Sequence, residues 1–443
     1  MFEYDPVIFS RILTGTTLGF HIIFATIGVG IPLLIALAEW IGIKRNDEHY
    51  RLLARRWARG FVITVAVGVV TGTAIGLQLS LLWPNFMQVA GHVISLPMFM
   101  ETFAFFFEAI FLGIYLYTWD RFKKKIHHFY LVIPVVIGAG GSAFFITTVN
   151  AFMNTPRGFD IENGQLTNVN PLLAMFNPAT PTKVAHVLSS AYLTAAFVLA
   201  AIAAYSILRG KNHVYHKKAL NLTMTVAAVF AIATALIGDF SGKFLAEYQP
   251  EKLAAAEWHF ETTTEAPLIL GGVLTEENEV KYALEIPYAL SILAHGNPGS
   301  EVIGLEEFPK EDLPPLIVHY LFDAMVVIGM WLAFVAVVFI LFQRTKRWNE
   351  HNRLLLWAIF TGAPLAVFAI EMGWIFTEIG RQPWVLVGFM KTAEGATTST
   401  HVDTMLYMFV LLYLVLAISC ITVLRKMFKS NPIEQELKDR GLE

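Results

Sequence analysis

The side chains in this sequence best suited to proton or metal chemistry are carboxylates and imidazoles set inside long apolar runs. The densest stretch is Ile370 to Trp384, IEMGWIFTEIGRQPW, where Glu371 and Glu378 lie seven residues apart with Trp374 between them. On a helix of about 3.6 residues per turn these three positions share one face. A carboxylate facing hydrocarbon costs roughly 2.5 to 3.5 kcal/mol even on mild insertion scales, so that face must turn toward a proton path, a ligand or a buried partner. Glu101 and Glu108, in PMFMETFAFFFEAIF, repeat the spacing among phenylalanines. The pair suits a proton relay or the surroundings of a cofactor; the plainer alternative is two interhelical hydrogen bonds.

Imidazole is the commonest protein ligand of haem iron, and His21 lies midway along the first apolar span, in GFHIIFATIGVG, with Arg11 ten residues earlier. A single membrane His also serves as a hydrogen-bond partner for a neighbouring helix. His186 in PTKVAHVLSS and Met325 in HYLFDAMVVIGM both fall near one end of their apolar segments. A lone Met is usually packing, whereas a His/Met pair at one depth matches a low-spin haem with both axial positions filled. Lys252 and Glu257 stand five residues apart in EYQPEKLAAAEWHFE, a Pro-started stretch that reads as a short amphipathic helix at the membrane surface. Beside a quinol head-group, the Glu would accept the hydroxyl proton and the Lys would hold the oxygen. His259 is a further candidate. The single cysteine, Cys420, excludes internal disulfides, c-type haem attachment and cysteine-ligated clusters.

These residues must be positioned by membrane helices. The 443-residue chain is 56% hydrophobic and 15% charged, and apolar runs long enough to cross a bilayer fall near 8–41, 61–83, 97–119, 129–153, 184–208, 219–240, 316–342, 354–379 and 401–424. An all-α protein of nine transmembrane helices follows. Of 32 Lys and Arg, 23 fall in the connections after the first, third, fifth and seventh spans or in the tail. Cytoplasmic loops collect positive charge, so the N-terminus is expected outside and the C-terminus in the cytoplasm. The first residues are acidic and the run behind them is too long for a signal peptide, so insertion by uncleaved spans is expected. The chain divides into 1–240 (helices one to six), an acidic extracytoplasmic loop at 241–315, 316–425 (helices seven to nine) and a cytoplasmic tail at 426–443. Beyond its short helix the loop reads as irregular. No phosphate loop or nucleic-acid surface is present, and the basic clusters follow topology.

GRQPW behind a Trp and a Glu, QPEKLAAAEWHFET, VNAFMNTPRG, AHVLSS and GDFSG together resemble subunit I of the cytochrome bd quinol oxidases in its short-loop form, from Arg11 to the ninth span. The resemblance implies a multi-pass protein of the prokaryotic plasma membrane that oxidises ubiquinol or menaquinol outside and reduces O2 to water with cytoplasmic protons, without pumping. It implies His186 and Met325 as ligands of a low-spin haem b. It likewise implies His21 and Glu378 as ligands of two further haems, a high-spin haem b and a haem d or another haem b. Lys252 and Glu257 would serve quinol in the loop, Glu101 and Glu108 would handle protons or the local charge around the haem pair, and Arg11, Trp374 and Arg381 would support the cofactors. A second large membrane subunit and a small single-span subunit are the implied partners. The chain departs from the pattern at Asp323, where many relatives carry Arg, so propionate contacts of the low-spin haem must be made differently. Two other classes share some of these features. A proton-coupled transporter would be colourless and have a substrate cavity between repeats; a b-type electron carrier would offer paired ligands at every iron and no carboxylate site.

Overall fold

The computed structural model describes residues 4–162, 165–345, 349 and 351–442. Among them nine helices are long and apolar enough to cross a membrane. They are α1 (Pro6–Lys44), α2 (Glu48–Leu82), α3 (Pro84–Tyr117), α4 (Val132–Asn154), α5 (Thr180–Leu208), α6 (Val214–Tyr248), α7 (Val318–Thr345), α8 (Arg353–Ile379) and α9 (Val402–Ser430). The number and class agree with the sequence reading, but most helices overrun the apolar runs. At 1.5 Å per residue the 39 residues of α1 span about 58 Å, nearly twice the hydrocarbon thickness. Polar caps set the starts: the Asp5 carboxylate accepts from the Val7 amide at 2.8 Å with Pro6 in the first turn, and Asn352 accepts from the Leu354 amide at 2.8 Å. Lys346 and Arg347, two of the charges counted for topology, lie outside the described residues.

Alanine-rich α5 sits at the centre, because side chains this small let neighbours approach on every side. Ala195, Ala196, Ala200 and Ala204 have no exposed surface. Gly30 of α1 lies directly against Ala195, and a Cβ at Gly362 of α8 would fall 2.6 Å from the Phe197 ring. Helix α3 packs on α4 by the same means, since a Cβ at Gly138 would lie 2.8 Å from the Ala104 carbonyl oxygen and 2.9 Å from Glu108 Cβ. Toward the outside of the bundle, α3 exposes Phe99, Phe103, Phe106 and Ile110.

The long connection differs from its sequence reading. Instead of lying exposed at a surface, the helix Pro250–Ala256 is enclosed, with Leu253, Ala254, Ala255 and Ala256 all buried. Leu253 packs into the apolar cluster and the three alanines that follow are small, so surrounding elements close over them. Nor is the remainder irregular. Antiparallel pairs join Leu268–Leu270 to Leu284–Ile286, Val273–Leu274 to Val280–Lys281, and Thr263–Thr264 to Glu301–Val302. Leu253, Ala266, Leu290, Val302 and Leu305 form one apolar cluster with Val318 of α7 and Phe376 of α8. The loop therefore has its own small core, fused to the ends of α7 and α8.

Candidate functional site

At the loop end of α8 Glu378 is held from two sides. Its Oε1 accepts the Asn150 side-chain amide of α4 at 2.7 Å, and its Oε2 accepts Arg381 Nη2 at 2.6 Å. Asn150 Oδ1 accepts Lys183 Nζ of α5 at 2.9 Å. A carboxylate on one side and an ammonium on the other fix which way the amide points. Both Glu378 oxygens keep a further lone pair, so the carboxylate remains a competent hard ligand. Arg381 is buried, and its Nε and Nη1 find no hydrogen-bond partner within the chain. Two unpaired donors on a buried guanidinium leave capacity for an anionic group arriving from outside the polypeptide.

His21 is set up differently. Its Nδ1 lies 2.8 Å from Thr71 Oγ1, while that hydroxyl donates to the Val67 carbonyl at 2.9 Å. With its proton committed, the Thr71 oxygen accepts from Nδ1–H, which leaves Nε2 unprotonated with its lone pair available. That is the tautomer a metal-binding His needs, fixed by a neighbouring residue as such ligands usually are. Space for the ring comes from Gly72, where a Cβ would meet His21 Cε1 at 3.3 Å. Glu371 approaches the same region, 3.4 Å from the Cβ position of Gly19, and its Oε1 is buried without a partner.

His186 Nδ1 is likewise buried without a partner. Gly238 on α6 stands where a Cβ would come 3.9 Å from the ring, and Gly373 on α8 is where a Cβ would lie 2.8 Å from Met325 Sδ. A glycine therefore leaves room beside each of the two side chains. Glu108 is buried where α3 meets α4, and Glu101 Oε1 accepts Ser142 Oγ at 2.8 Å. Trp374 is half-buried and Arg11 is exposed.

Lys252 and Glu257 share a short stretch of chain but have different partners. Lys252 lies beneath Gly380, with Nζ donating to the Thr377 carbonyl at 3.2 Å and 4.9 Å from the Phe376 ring centroid. Burial pushes its pKa down to about 8. Glu257 is fully buried, which pushes its carboxyl well above the usual range. Its Oε2 accepts the Ile269 amide at 3.2 Å, whereas Oε1 has no partner. His259 is buried in the loop and pairs with the Val302 carbonyl at 3.1 Å. Asp323 faces the loop: its Oδ2 accepts the Gly271 amide at 2.5 Å and lies 3.2 Å from His319 Nε2.

Asn150 and Lys183 escaped the sequence reading as site residues. Each stood inside a quoted motif, VNAFMNTPRG and PTKVAHVLSS, yet only the meeting of α4, α5 and α8 gives it a role.

Comparisons with known proteins agree along the whole chain. The family description "Cytochrome bd terminal oxidase subunit I" matches residues 9–432. A candidate cytochrome bd menaquinol oxidase subunit I of Bacillus subtilis (strain 168) is 44% identical, covering 98% of this chain and 99% of the relative. The cytochrome bd ubiquinol oxidase subunit 1 of the same organism is 31% identical over 91% of this chain and 88% of its own length. A chain in the solved structure of the bd oxidase from Geobacillus thermodenitrificans superposes with a TM-score of 0.93 at 66% identity, covering 98% of this chain and 100% of the other.

Proposed function

Since the chain belongs to the cytochrome bd terminal oxidase subunit I family, we propose that it is the haem-bearing, quinol-oxidising subunit of a bacterial quinol:O2 oxidoreductase. The observation that carries the reading is the set of buried ligand-type atoms without partners or with a lone pair kept free: His186 Nδ1, His21 Nε2 and the donors of Arg381 beside Glu378. Haem fits this donor set, which offers imidazole, thioether and carboxylate but no thiolate.

His186 and Met325 would hold a low-spin haem b. His21 and Glu378 would each hold one of a pair, a high-spin haem b and a haem d or further haem b, with Arg381, Arg11 and Trp374 in support. When bound, haem would supply the one-electron redox chemistry by which O2 is reduced. The protein's own task is to move protons. Glu257 takes the quinol hydroxyl proton on its unpartnered Oε1, and a raised pKa makes it a stronger acceptor once empty. Lys252, on the short helix that Glu257 directly follows, supplies the cation of that site. Glu108 and Glu101, one face of α3 with Ser142 beside it, hold protons drawn from the cytoplasm. With the N-terminus and the loop outside, quinol protons leave on one side and water is made with protons from the other, so charge separates without a pump. The exposed apolar faces of α3 and α9 suit lipid, a second large subunit and a small single-span subunit.

The test is oxygen uptake by the purified complex, driven by menaquinol or ubiquinol, with extracted haems identified. Quinol-dependent uptake by a coloured protein is expected, and in vesicles acidification should not exceed the quinol's own protons. A colourless preparation, or one that takes up no oxygen, refutes the reading.

A further inference from the structure

Helix α7 carries a histidine, His319, that faces the long connection. His319 has no exposed surface, and both its ring nitrogens face acceptors. Nδ1 lies 2.7 Å from the Ala256 carbonyl, and Nε2 lies 3.0 Å from the Gly271 carbonyl and 3.2 Å from Asp323 Oδ2. A backbone carbonyl cannot donate, so the ring satisfies both contacts only by donating from both nitrogens. Asp323, one turn further along α7, brings a carboxylate oxygen to the same Nε2. Asp323 Oδ2 also receives the Gly271 amide at 2.5 Å.

Two α7 side chains therefore hold both ends of one loop segment: Ala256 at its start, and both backbone polar groups of Gly271 at its end. Glu257 follows Ala256 directly, and the amide that fixes its Oε2 belongs to Ile269, two residues before Gly271. The position of the Glu257 carboxyl is thus set from both sides by groups anchored on His319 and Asp323. The residue between is fixed as well. Trp258 stacks on the His319 ring with centroids 3.9 Å apart, donates its indole N–H to the Leu316 carbonyl at 2.9 Å, and sits at φ 46°. A bulky side chain in the left-handed region persists only where its surroundings over-determine it. Tyr320 OH adds a bond to the Gly272 carbonyl at 2.9 Å. Two carboxylate oxygens of this clamp remain unpartnered, Asp323 Oδ1 on α7 and Glu257 Oε1 within the held segment.

We propose that His319, paired with Asp323, is the positioning residue of the quinol site, clamping segment 256–271 to α7 so that Glu257 presents its bare oxygen to a quinol hydroxyl. The inference rests on the reading of Glu257 as proton acceptor. It also gives Asp323 a role that an arginine there would not fill, since Gly271 N–H needs an acceptor.

The experiment uses the purified multi-subunit oxidase carrying His319→Ala, Glu257→Gln or both. Each is assayed for haem spectrum, for oxygen uptake with quinol, and for uptake with tetramethyl-p-phenylenediamine, a donor with no hydroxyl proton to lose. Displacing an acceptor by about 1 Å costs on the order of 100-fold in rate. His319→Ala should therefore lower quinol kcat by on the order of 10- to 100-fold, leaving the haem spectrum and diamine-driven uptake intact. In the Glu257→Gln background the same substitution should cost nothing further, because there is no carboxyl left to misplace. Losses that multiply in the double variant, or equal losses with both donors, overturn the positioning role. Should Glu257→Gln keep full quinol turnover, the reading of Glu257 itself fails. If Glu257→Gln is slow but His319→Ala is normal, only the clamp fails. Where His319→Ala does not assemble, His319→Gln carries the same test, since it retains a donor toward Gly271 but none toward Ala256.

Discussion

The contact on which the Glu378 site most depends is one that its sequence motif does not announce, so Asn150→Leu is the sharpest perturbation. Leucine has the branched shape of asparagine and leaves no cavity, but it removes the donor to Glu378 Oε1 at 2.7 Å and the acceptor of Lys183 Nζ at 2.9 Å. Hydrogen bonds to charged groups contribute about 1.5 to 3 kcal/mol each, and stranding a buried charge costs about 3 to 5 kcal/mol. The Glu378 side chain keeps 29% of its exposure, so water recovers part of the loss on that side. A net destabilisation of about 3 kcal/mol is the working value, from the lower end of those ranges. The complex would be purified and its melting temperature, haem content and quinol-driven oxygen uptake measured. Asn150→Leu should lose thermal stability together with the haem that Glu378 is proposed to hold. Asn150→Asp keeps an acceptor for Lys183 but sets a second carboxylate against Glu378, so stability should return in part while oxygen uptake stays low. If Asn150→Leu stays within about 0.5 kcal/mol of the parent, as surface substitutions do, with full haem and turnover, then the network does not hold Glu378 and the argument is wrong.

Further expectations concern the loop and the α7–α8 contact. Burial raises the Glu257 pKa, so quinol oxidation should climb with pH above the ordinary carboxylate range as the acceptor empties; in Glu257→Gln that limb should vanish, and a limb that persists counts against this role. Lys252 has a pKa of about 8 against 10.5 unperturbed, so between those values the unfolded chain binds the extra proton and stability rises with pH; below about 8 the full penalty, about 3 kcal/mol, applies. Lys252→Met should accordingly raise the thermal stability of the complex at neutral pH while slowing quinol turnover, and a variant neither more stable nor slower would contradict both halves. Gly373→Val places a Cβ 2.8 Å from Met325 Sδ, an overpacking of about 1 to 3 kcal/mol that should weaken the low-spin absorption band without affecting the Glu378 site.

Spans and paired acids were readable in the sequence because both obey a period. Glu101 with Glu108, and Glu371 with Glu378, announce a helix face by spacing alone, and hydropathy gives nine helices with ends shifted by several residues. Other features depend on contacts distant in sequence. Nothing near His319 signals that Ala256, 63 residues earlier, and Gly271, 48 residues earlier, will converge on its ring. Asn150 and Glu378 are separated by 228 residues. The Pro250–Ala256 helix is legible from its proline start but its burial is not: composition distinguishes a polar face from an apolar one, whereas alanines report nothing about whether another element will cover them.

The account stands or falls on iron held by side chains of this chain, and one spectrum addresses it. The reduced-minus-oxidised difference spectrum of the purified complex should show a low-spin b-type band that disappears in Met325→Leu while the remaining haem absorption persists. A Met325→Leu spectrum identical to that of the parent, or a parent complex without haem bands, would contradict it.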